Sequence, residues 1–281
     1  MLIFRKCHND TGCEPWRSDG TPEGTGMLLD LEPGPARSDV QVLGHTSEAV
    51  FFTASTVGGG TELWRTDGTP AGTVAVSPVP TVGSVDYDDD VLRPAVGALG
   101  ETFFFAGCTG AIGCELWKSD GTAQGTGLVH DITPNWPSAS ASPGSLVDVG
   151  GTLYFTAFDP TTNCDYFTEL PTTGPQIWRS DGTEEGTSLV ADFEPAEDDN
   201  RQLKYLTDVA GTLYFTKAEG RYYSGPNYYI SNSLWKSDGT PAGTVRIFGP
   251  DTYPGWQAQA LEHARGMVFF LGPKEGSSYP L

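Results

Sequence analysis

The chain has 281 residues, with 16 Lys+Arg against 36 Asp+Glu and a net charge of −20. That length buries a sizeable core as a single repeat domain or all-β domain, while so acidic a surface repels phosphate backbones and argues against nucleic acid as a partner. No run of 18 apolar residues occurs, so no helical membrane span is expected.

The opening segment, MLIFRKCHND, has too short an apolar stretch for a signal peptide and no cleavage site. It reads as the inside of a strand, followed by a loop between Cys7 and Cys13 and a strand EPWRS that leads into DGTPEGTG. The same order returns at FTASTVGGGTELWRTDGTPAGT (52–73) and FAGCTGAIGCELWKSDGTAQGT (105–126). It returns again, with altered leaders, at QIWRSDGTEEGT (176–187) and SLWKSDGTPAGT (233–244). The repeat tryptophans are Trp16, Trp64, Trp117, Trp178 and Trp235, spaced 48, 53, 61 and 57 residues apart. Trp136 and Trp256 fall outside the repeat.

Cys7/Cys13 and Cys108/Cys114 occupy one pair of repeat positions, and Ser55 and Thr61 replace both in another copy. Replacement of both partners together predicts disulfides Cys7–Cys13 and Cys108–Cys114, and hence an oxidising, exported location. Zinc is the rival. The spacing lacks CxxC knuckles, and His8, His45, His130 and His263 do not recur in register. Cys164 lies in an insertion with no evident partner.

Each period holds four strands, shown best by GSLVDVGGTLYFTAFD (144–159). SLVDV is a strand, Gly150-Gly151 a two-residue hairpin turn, and TLYFTAF an alternating second strand rich in β-branched and aromatic residues. QIWRSDG and GTSLVADF are the third and fourth. SDGTxxGT is then the tight 3–4 connection. Asp19, Asp67, Asp120, Asp181 and Asp238 accept backbone N–H bonds of the turn, the next Gly supplies positive φ, and both threonines begin the return strand. The Trp packs between sheets with its N–H on a backbone carbonyl, and the cation after it points to solvent.

Four antiparallel strands per period of about 50 residues predict a single β-propeller domain over 1–281, of about five repeats. The chain begins inside a second strand and stops before a sixth Trp, and so reads as an excerpt of a longer array. Were it to close on itself, strands at about 257–271 would join those at about 13–30 as a fifth blade, leaving Leu2–Phe4 redundant.

ELWKSDGT (115–122) and ELWRTDGT (62–69), with the near copies EPWRSDGT, QIWRSDGT and SLWKSDGT, resemble the ELWxxDGT repeat family of bacterial proteins. GTLYFTA (151–157) is similar to that family as well. The resemblance implies tandem repetition and a secreted or cell-surface location, and it supplies no catalytic residues.

Loops 2–3 and 4–1 vary between copies and emerge on one face, where binding is expected. Two 4–1 connections carry acidic runs: DYDDD (Asp86, Asp88, Asp89, Asp90) and EDDN (Glu197, Asp198, Asp199, Asn200). Asp88, Asp89, Asp90, Asp198 and Asp199 are candidate Ca²⁺ ligands, against a plainly solvated acidic surface. The insertion EGRYYSGPNYYISNS (219–233) offers Tyr222, Tyr223, Tyr228 and Tyr229 as candidate ligand-binding residues. These features favour a non-enzymatic module that binds an extracellular protein or glycan. The alternative is a secreted glycoside hydrolase with paired carboxylates. Asp148 and Asp208 stand at equivalent inner-strand positions, which reads as structural, and no nucleophile–base set is present.

Overall fold

The structure, a computed structural model, describes residues 1–56, 60–76, 81–82, 84–88, 91–134, 139–158, 176–193, 203–224, 227–249 and 259–271. Among these residues every regular element is a strand, and the architecture is a β-propeller-type array of four-stranded antiparallel blades. The first sheet is β1 (Leu2–His8), β2 (Gly12–Ser18) and β3 (Gly26–Met27). The second is β4 (Gln41–His45), β5 (Val50–Thr56), β6 (Gly60–Thr66) and β7 (Val74–Val76). Three short strands follow: β8 (Thr81–Val82), β9 (Ser84–Asp88) and β10 (Val91–Pro94).

The third sheet is β11 (Val96–Leu99), β12 (Thr102–Thr109), β13 (Gly113–Ser119) and β14 (Gly127–His130), with β8 added against β12. The fourth is β15 (Gly144–Val149), β16 (Thr152–Ala157), β17 (Gln176–Ser180) and β18 (Ser188–Asp192). The fifth is β19 (Leu203–Val209), β20 (Thr212–Ser224), β21 (Asn227–Ser237) and β22 (Val245–Phe248). A two-stranded sheet, β23 (Gln259–Ala264) and β24 (Met267–Leu271), ends the described chain. First strands of successive sheets lie against one another, from β4 through β11, β15 and β19 to β23.

The sequence period becomes a packing period. The aromatic of each second strand sits directly opposite the Trp of the third: Phe4 and Trp16, Phe52 and Trp64, Phe105 and Trp117, Phe155 and Trp178, Phe215 and Trp235. Phe52, Phe105, Phe155 and Phe215 are fully buried. Each such ring contributes about 2–3 kcal/mol of burial, so the core is a row of inter-sheet compartments rather than one centre. In three of them a fourth-strand valine meets the second-strand Phe and the Trp of the next sheet. The sets are Val76, Phe105 and Trp117; Val129, Phe155 and Trp178; and Val190, Phe215 and Trp235.

The 1–2 turns form as expected. Gly150 and Gly151 take φ of 60° and 87°, the paired left-handed geometry that matches strand twist. Asp148 Oδ1 accepts the Gly151 N–H at 2.8 Å, and Asp208 accepts that of Gly211 at 2.9 Å. The repeated inner-strand acids are therefore turn acceptors.

Both disulfides are present, Cys7–Cys13 and Cys108–Cys114, joining directly opposed residues of a second and third strand. In the second sheet the Ser55 and Thr61 hydroxyls bond at 2.9 Å in the same place. Replacing Cys108 and Cys114 together by Ser is expected to cost about 2 kcal/mol, the chain-entropy value for so short a closed loop. Thermal unfolding reads this, and an unchanged Tm would mean that the ladder alone fixes the hairpin.

Three expectations need correction. The closing arrangement is not adopted: β1 is a complete second strand paired with β2 from Leu2 to His8, and β24 lies in another sheet. Leu2–Phe4 are thus in use, and the Cys7–Cys13 bond holds the place that β24 would have to take. The acidic run after the second repeat is not plain loop, because β9 and β10 pair across it. The tyrosine insertion is also no loop: β20 and β21 continue as an antiparallel ladder of 13 and 11 residues around a shift between Ala218 and Gly220.

Candidate functional site

The turn after each Trp is one network built five times. In the third copy Asp120 Oδ1 accepts both the backbone N–H and the hydroxyl of Thr122, at 2.8 and 2.7 Å. Thr122 Oγ1 accepts the Gly125 N–H at 2.9 Å, and the Thr126 hydroxyl donates to the Thr122 carbonyl at 2.6 Å. Ser119 Oγ bonds Thr126 Oγ1 at 2.7 Å and accepts the Gly121 N–H at 3.0 Å. Both threonines therefore belong to the turn, and the return strand starts only at Gly127. The expectation that they begin the strand fails because their hydroxyls close the ring. Bonds from the Thr side chain, then from the Thr backbone, hold Asp19, Asp67, Asp120, Asp181 and Asp238 below the usual carboxylate range.

The cation after the Trp was expected in solvent and instead reaches the next sheet. Arg17 Nη1 donates to the Gly68 carbonyl at 2.5 Å, Lys118 Nζ to Gly182 at 2.7 Å, and Arg179 Nη1 to Gly239 at 3.2 Å. Each acceptor lies in the following copy's Asp-Gly-Thr turn. Arg65 lies over Gly121 so closely that a Cβ there would sit 2.4 Å from its Cδ. A long cation following a strand-face Trp leans across the inter-sheet seam, where unpaired turn carbonyls are the nearest acceptors.

Two indole N–H groups also differ from expectation. Trp178 Nε1 donates to Gln176 Oε1 at 3.1 Å and Trp235 Nε1 to Ser233 Oγ at 2.6 Å, side chains two residues back on the same strand. No backbone carbonyl is used there. The indole nitrogens of Trp64 and Trp117 have no partner among the described residues.

The residues that the sequence reading overlooked are the glutamates two places before Trp. Glu115 is fully buried. Its carboxylate accepts the Ile132 N–H at 3.0 Å, the Thr133 hydroxyl at 2.9 Å and the Ala141 N–H at 3.3 Å. It thereby fastens the connection to the next sheet. Glu14, also buried, does the same for Leu31 N–H at 2.9 Å and the Ser38 hydroxyl at 3.1 Å. Burial outweighs these bonds and pushes Glu115 up to about 7 and Glu14 above its ordinary value. In the fifth copy Ser233 holds this position, and its hydroxyl meets the Glu219 carboxylate from the neighbouring strand. The available signal was the recurrence of Glu at three of five equivalent positions, Glu14, Glu62 and Glu115.

The candidate Ca²⁺ ligands are only partly placed. Asp89, Asp90, Asp198 and Asp199 lie outside the described residues, and Asp88 is described only as the backbone end of β9. No cluster of three metal-ligating side chains occurs among the described residues. Cys164 is likewise outside them. The tyrosines are brought together by register: Tyr222 is opposite Tyr229, and Tyr223 is opposite Tyr228. Elsewhere on the surface, a polar cleft of about 320 Å³ beside Cys7–Cys13 is lined by Arg5, His8, Asn9, Arg37 and Asp39. An apolar groove of about 440 Å³ is lined by Leu189, Val190, Phe193, Trp235 and Pro241. No helix among the described residues is long and apolar enough to cross a membrane.

No family model matches the chain, and no curated protein matches it. Among solved structures it is similar to puromycin hydrolase, at 16% identity and TM-score 0.48 over 83% of this chain and 35% of that one. It is similar to TolB from Acinetobacter baumannii, at 13% and 0.42 over 96% and 60%. It is also similar to an α-L-arabinofuranosidase from Clostridium thermocellum, at 12% and 0.33 over 85% and 82%. The chain spans about a third and three-fifths of the first two proteins. At these identities no residue role transfers.

Proposed function

We propose that this chain is a non-enzymatic, exported module of the ELWxxDGT repeat type that binds protein or glycan through its tyrosine hairpin. The observation that carries this reading is the length of β20 and β21 and their register, which sets two Tyr–Tyr pairs beyond the part of the sheet shared with other blades. Tyrosine supplies a large, stiff, amphipathic contact surface at little conformational cost. Two further observations support it. The repeated aspartates spend their acceptor capacity inside their own turns, and the inner-strand acids spend theirs on 1–2 hairpins. Two disulfides belong to an oxidising compartment.

The test is a glycan array and a surface-protein pull-down with the intact chain and with Tyr222, Tyr223, Tyr228 and Tyr229 all changed to Ser. Capture by the parent, weakened at least tenfold in the variant at unchanged Tm, is the expected result. Blank results from both assays sink the binding reading, and turnover of a glycoside panel would replace it with a hydrolase.

A further inference from the structure

Asp-Gly is the dipeptide most open to isomerisation, because glycine has no Cβ to hinder attack by its own amide nitrogen on the aspartate side chain. The chain contains five: Asp19-Gly20, Asp67-Gly68, Asp120-Gly121, Asp181-Gly182 and Asp238-Gly239. Every one of them stands in the turn that follows a repeat Trp. All five aspartates are exposed, so water reaches them and burial gives no protection.

The reaction joins the Gly nitrogen to Asp Cγ. The C–N bond forms, the Cγ–OH bond of the carboxylic acid breaks, and the hydroxyl leaves with the amide proton as water. Water then reopens the five-membered imide. Opening at Cγ restores aspartate, whereas opening at the aspartate main-chain carbonyl leaves glycine attached through Cγ, as isoaspartate. One water is lost and one regained, so no other reactant takes part. The first step needs a free nitrogen brought up to Cγ in an attacking geometry.

The turn withholds these conditions in every copy. The Gly N–H is given to the hydroxyl of the residue before the Asp: Ser18, Thr66, Ser119, Ser180 and Ser237, at 3.1, 2.9, 3.0, 3.0 and 3.1 Å. On the other side, Asp Oδ1 accepts the N–H of the Thr two places on at 2.8–2.9 Å. It accepts that residue's hydroxyl at 2.7 Å. A third wall is the second glycine of the turn, since a Cβ on Gly24, Gly72, Gly125, Gly186 or Gly243 would stand 2.1–2.2 Å from aspartate Cγ. The Thr hydroxyl, then the Thr backbone, also holds each carboxyl below the usual carboxylate range. The ionised form has no hydroxyl to expel.

We propose that this clamp of two hydroxyls keeps the five Asp-Gly sites from converting to isoaspartate, and that Asp120 becomes an isomerising site once its clamp is cut. Isoaspartate runs the main chain through the side-chain carbon and lengthens the turn by one atom. The ring of bonds among Ser119, Asp120, Thr122 and Thr126 has no place for it.

The experiment incubates the intact chain at neutral pH, folded and in guanidinium chloride, beside two folded variants, S119A and T122V. Isoaspartate is measured at each of the five turns by peptide mapping. The folded parent is expected to accumulate at least tenfold less than the unfolded chain at all five sites. In each variant Asp120 is expected to rise at least threefold over the parent while the other four sites stay at the parent level. S119T and T122S, which keep the hydroxyls, are expected to match the parent. The four untouched turns are the internal reference, because opening of the whole chain raises all five together and a cut clamp raises one. The proposal is overturned if the folded parent isomerises as fast as the unfolded chain. It is equally overturned if Asp120 stays silent in both variants, or if all five sites rise together in a folded variant.

Discussion

Lowering the pH from 7.5 to 5 is expected to raise the thermal stability of this protein, and Glu115→Gln is expected to flatten most of that rise. Glu115 is fully buried, and its proton is held to about 7 in the folded chain against 4.5 when free. A raised folded pKa means that the native state binds the proton more tightly, so the contribution is complete below about 4.5 and is lost as pH climbs through 7. At about 1.4 kcal/mol per unit the swing is about 3 kcal/mol, and Glu14 shifts in the same direction and adds to it. The turn aspartates act elsewhere. Their lowered values make their contribution present above 3.8 and lost only as pH falls below it, so the two windows do not overlap. Glutamine is compatible with the site, since the fourth copy carries Gln176 there. Glu115→Ala is a different change. It leaves the Ile132 and Ala141 N–H groups without their acceptor, while the Thr133 hydroxyl keeps the Ala139 carbonyl at 3.2 Å, at a cost of about 3 kcal/mol at any pH. Equilibrium unfolding of parent, E115Q and E115A between pH 4.5 and 8 separates the two effects. A parent curve that is flat between 5 and 7 would refute the buried-carboxylate account.

What the sequence disclosed follows from the range of each interaction. The strand count per period, the 1–2 turn at Gly150-Gly151 and the Asp acceptor in the 3–4 turn are local, and a few neighbouring residues determine them. The disulfides were legible because Ser55 and Thr61 replace both cysteines of a pair at once. The cation was misread because alternation along a strand says which face a side chain leaves, and here that face borders the next sheet's turn rather than water. Glu115 was overlooked for a related reason. Its partners Ile132, Thr133 and Ala141 lie 17, 18 and 26 residues on, beyond any local pattern. The tyrosine insertion looked like a loop because Ser, Gly, Asn and Pro make up eight of its fifteen residues, yet continuing an existing ladder satisfies its backbone at no extra closure cost.

Gly125→Ala is expected to destabilise the chain by about 3 kcal/mol, and Asp120→Ala in the same chain is expected to recover most of that loss. A Cβ at Gly125 would lie 2.1 Å from Asp120 Cγ, far inside van der Waals contact. The carboxylate cannot swing aside, because its Oδ1 is held by the Thr122 N–H and hydroxyl at 2.8 and 2.7 Å. Overpacking against an anchored group costs about 1–3 kcal/mol, and moving Asp120 would also release the Thr122–Gly125 bond that closes the ring. Alone, D120A removes two acceptor contacts on an exposed turn and is expected to cost about 1 kcal/mol. Independent sites would then put the double variant near 4 kcal/mol. Contact between them predicts a value close to that of D120A alone, a coupling of about 2–3 kcal/mol in a double-mutant cycle. The other four copies repeat the geometry, with 2.0–2.2 Å between a Gly24, Gly72, Gly186 or Gly243 Cβ and its own aspartate. The cycle should therefore transfer from turn to turn. Additive costs at Gly125 and Asp120 would mean that the glycine serves backbone freedom instead. Its φ argues against that: unlike Gly121, at 87°, Gly125 lies outside the left-handed region, so the only demand on the position is room for the carboxylate.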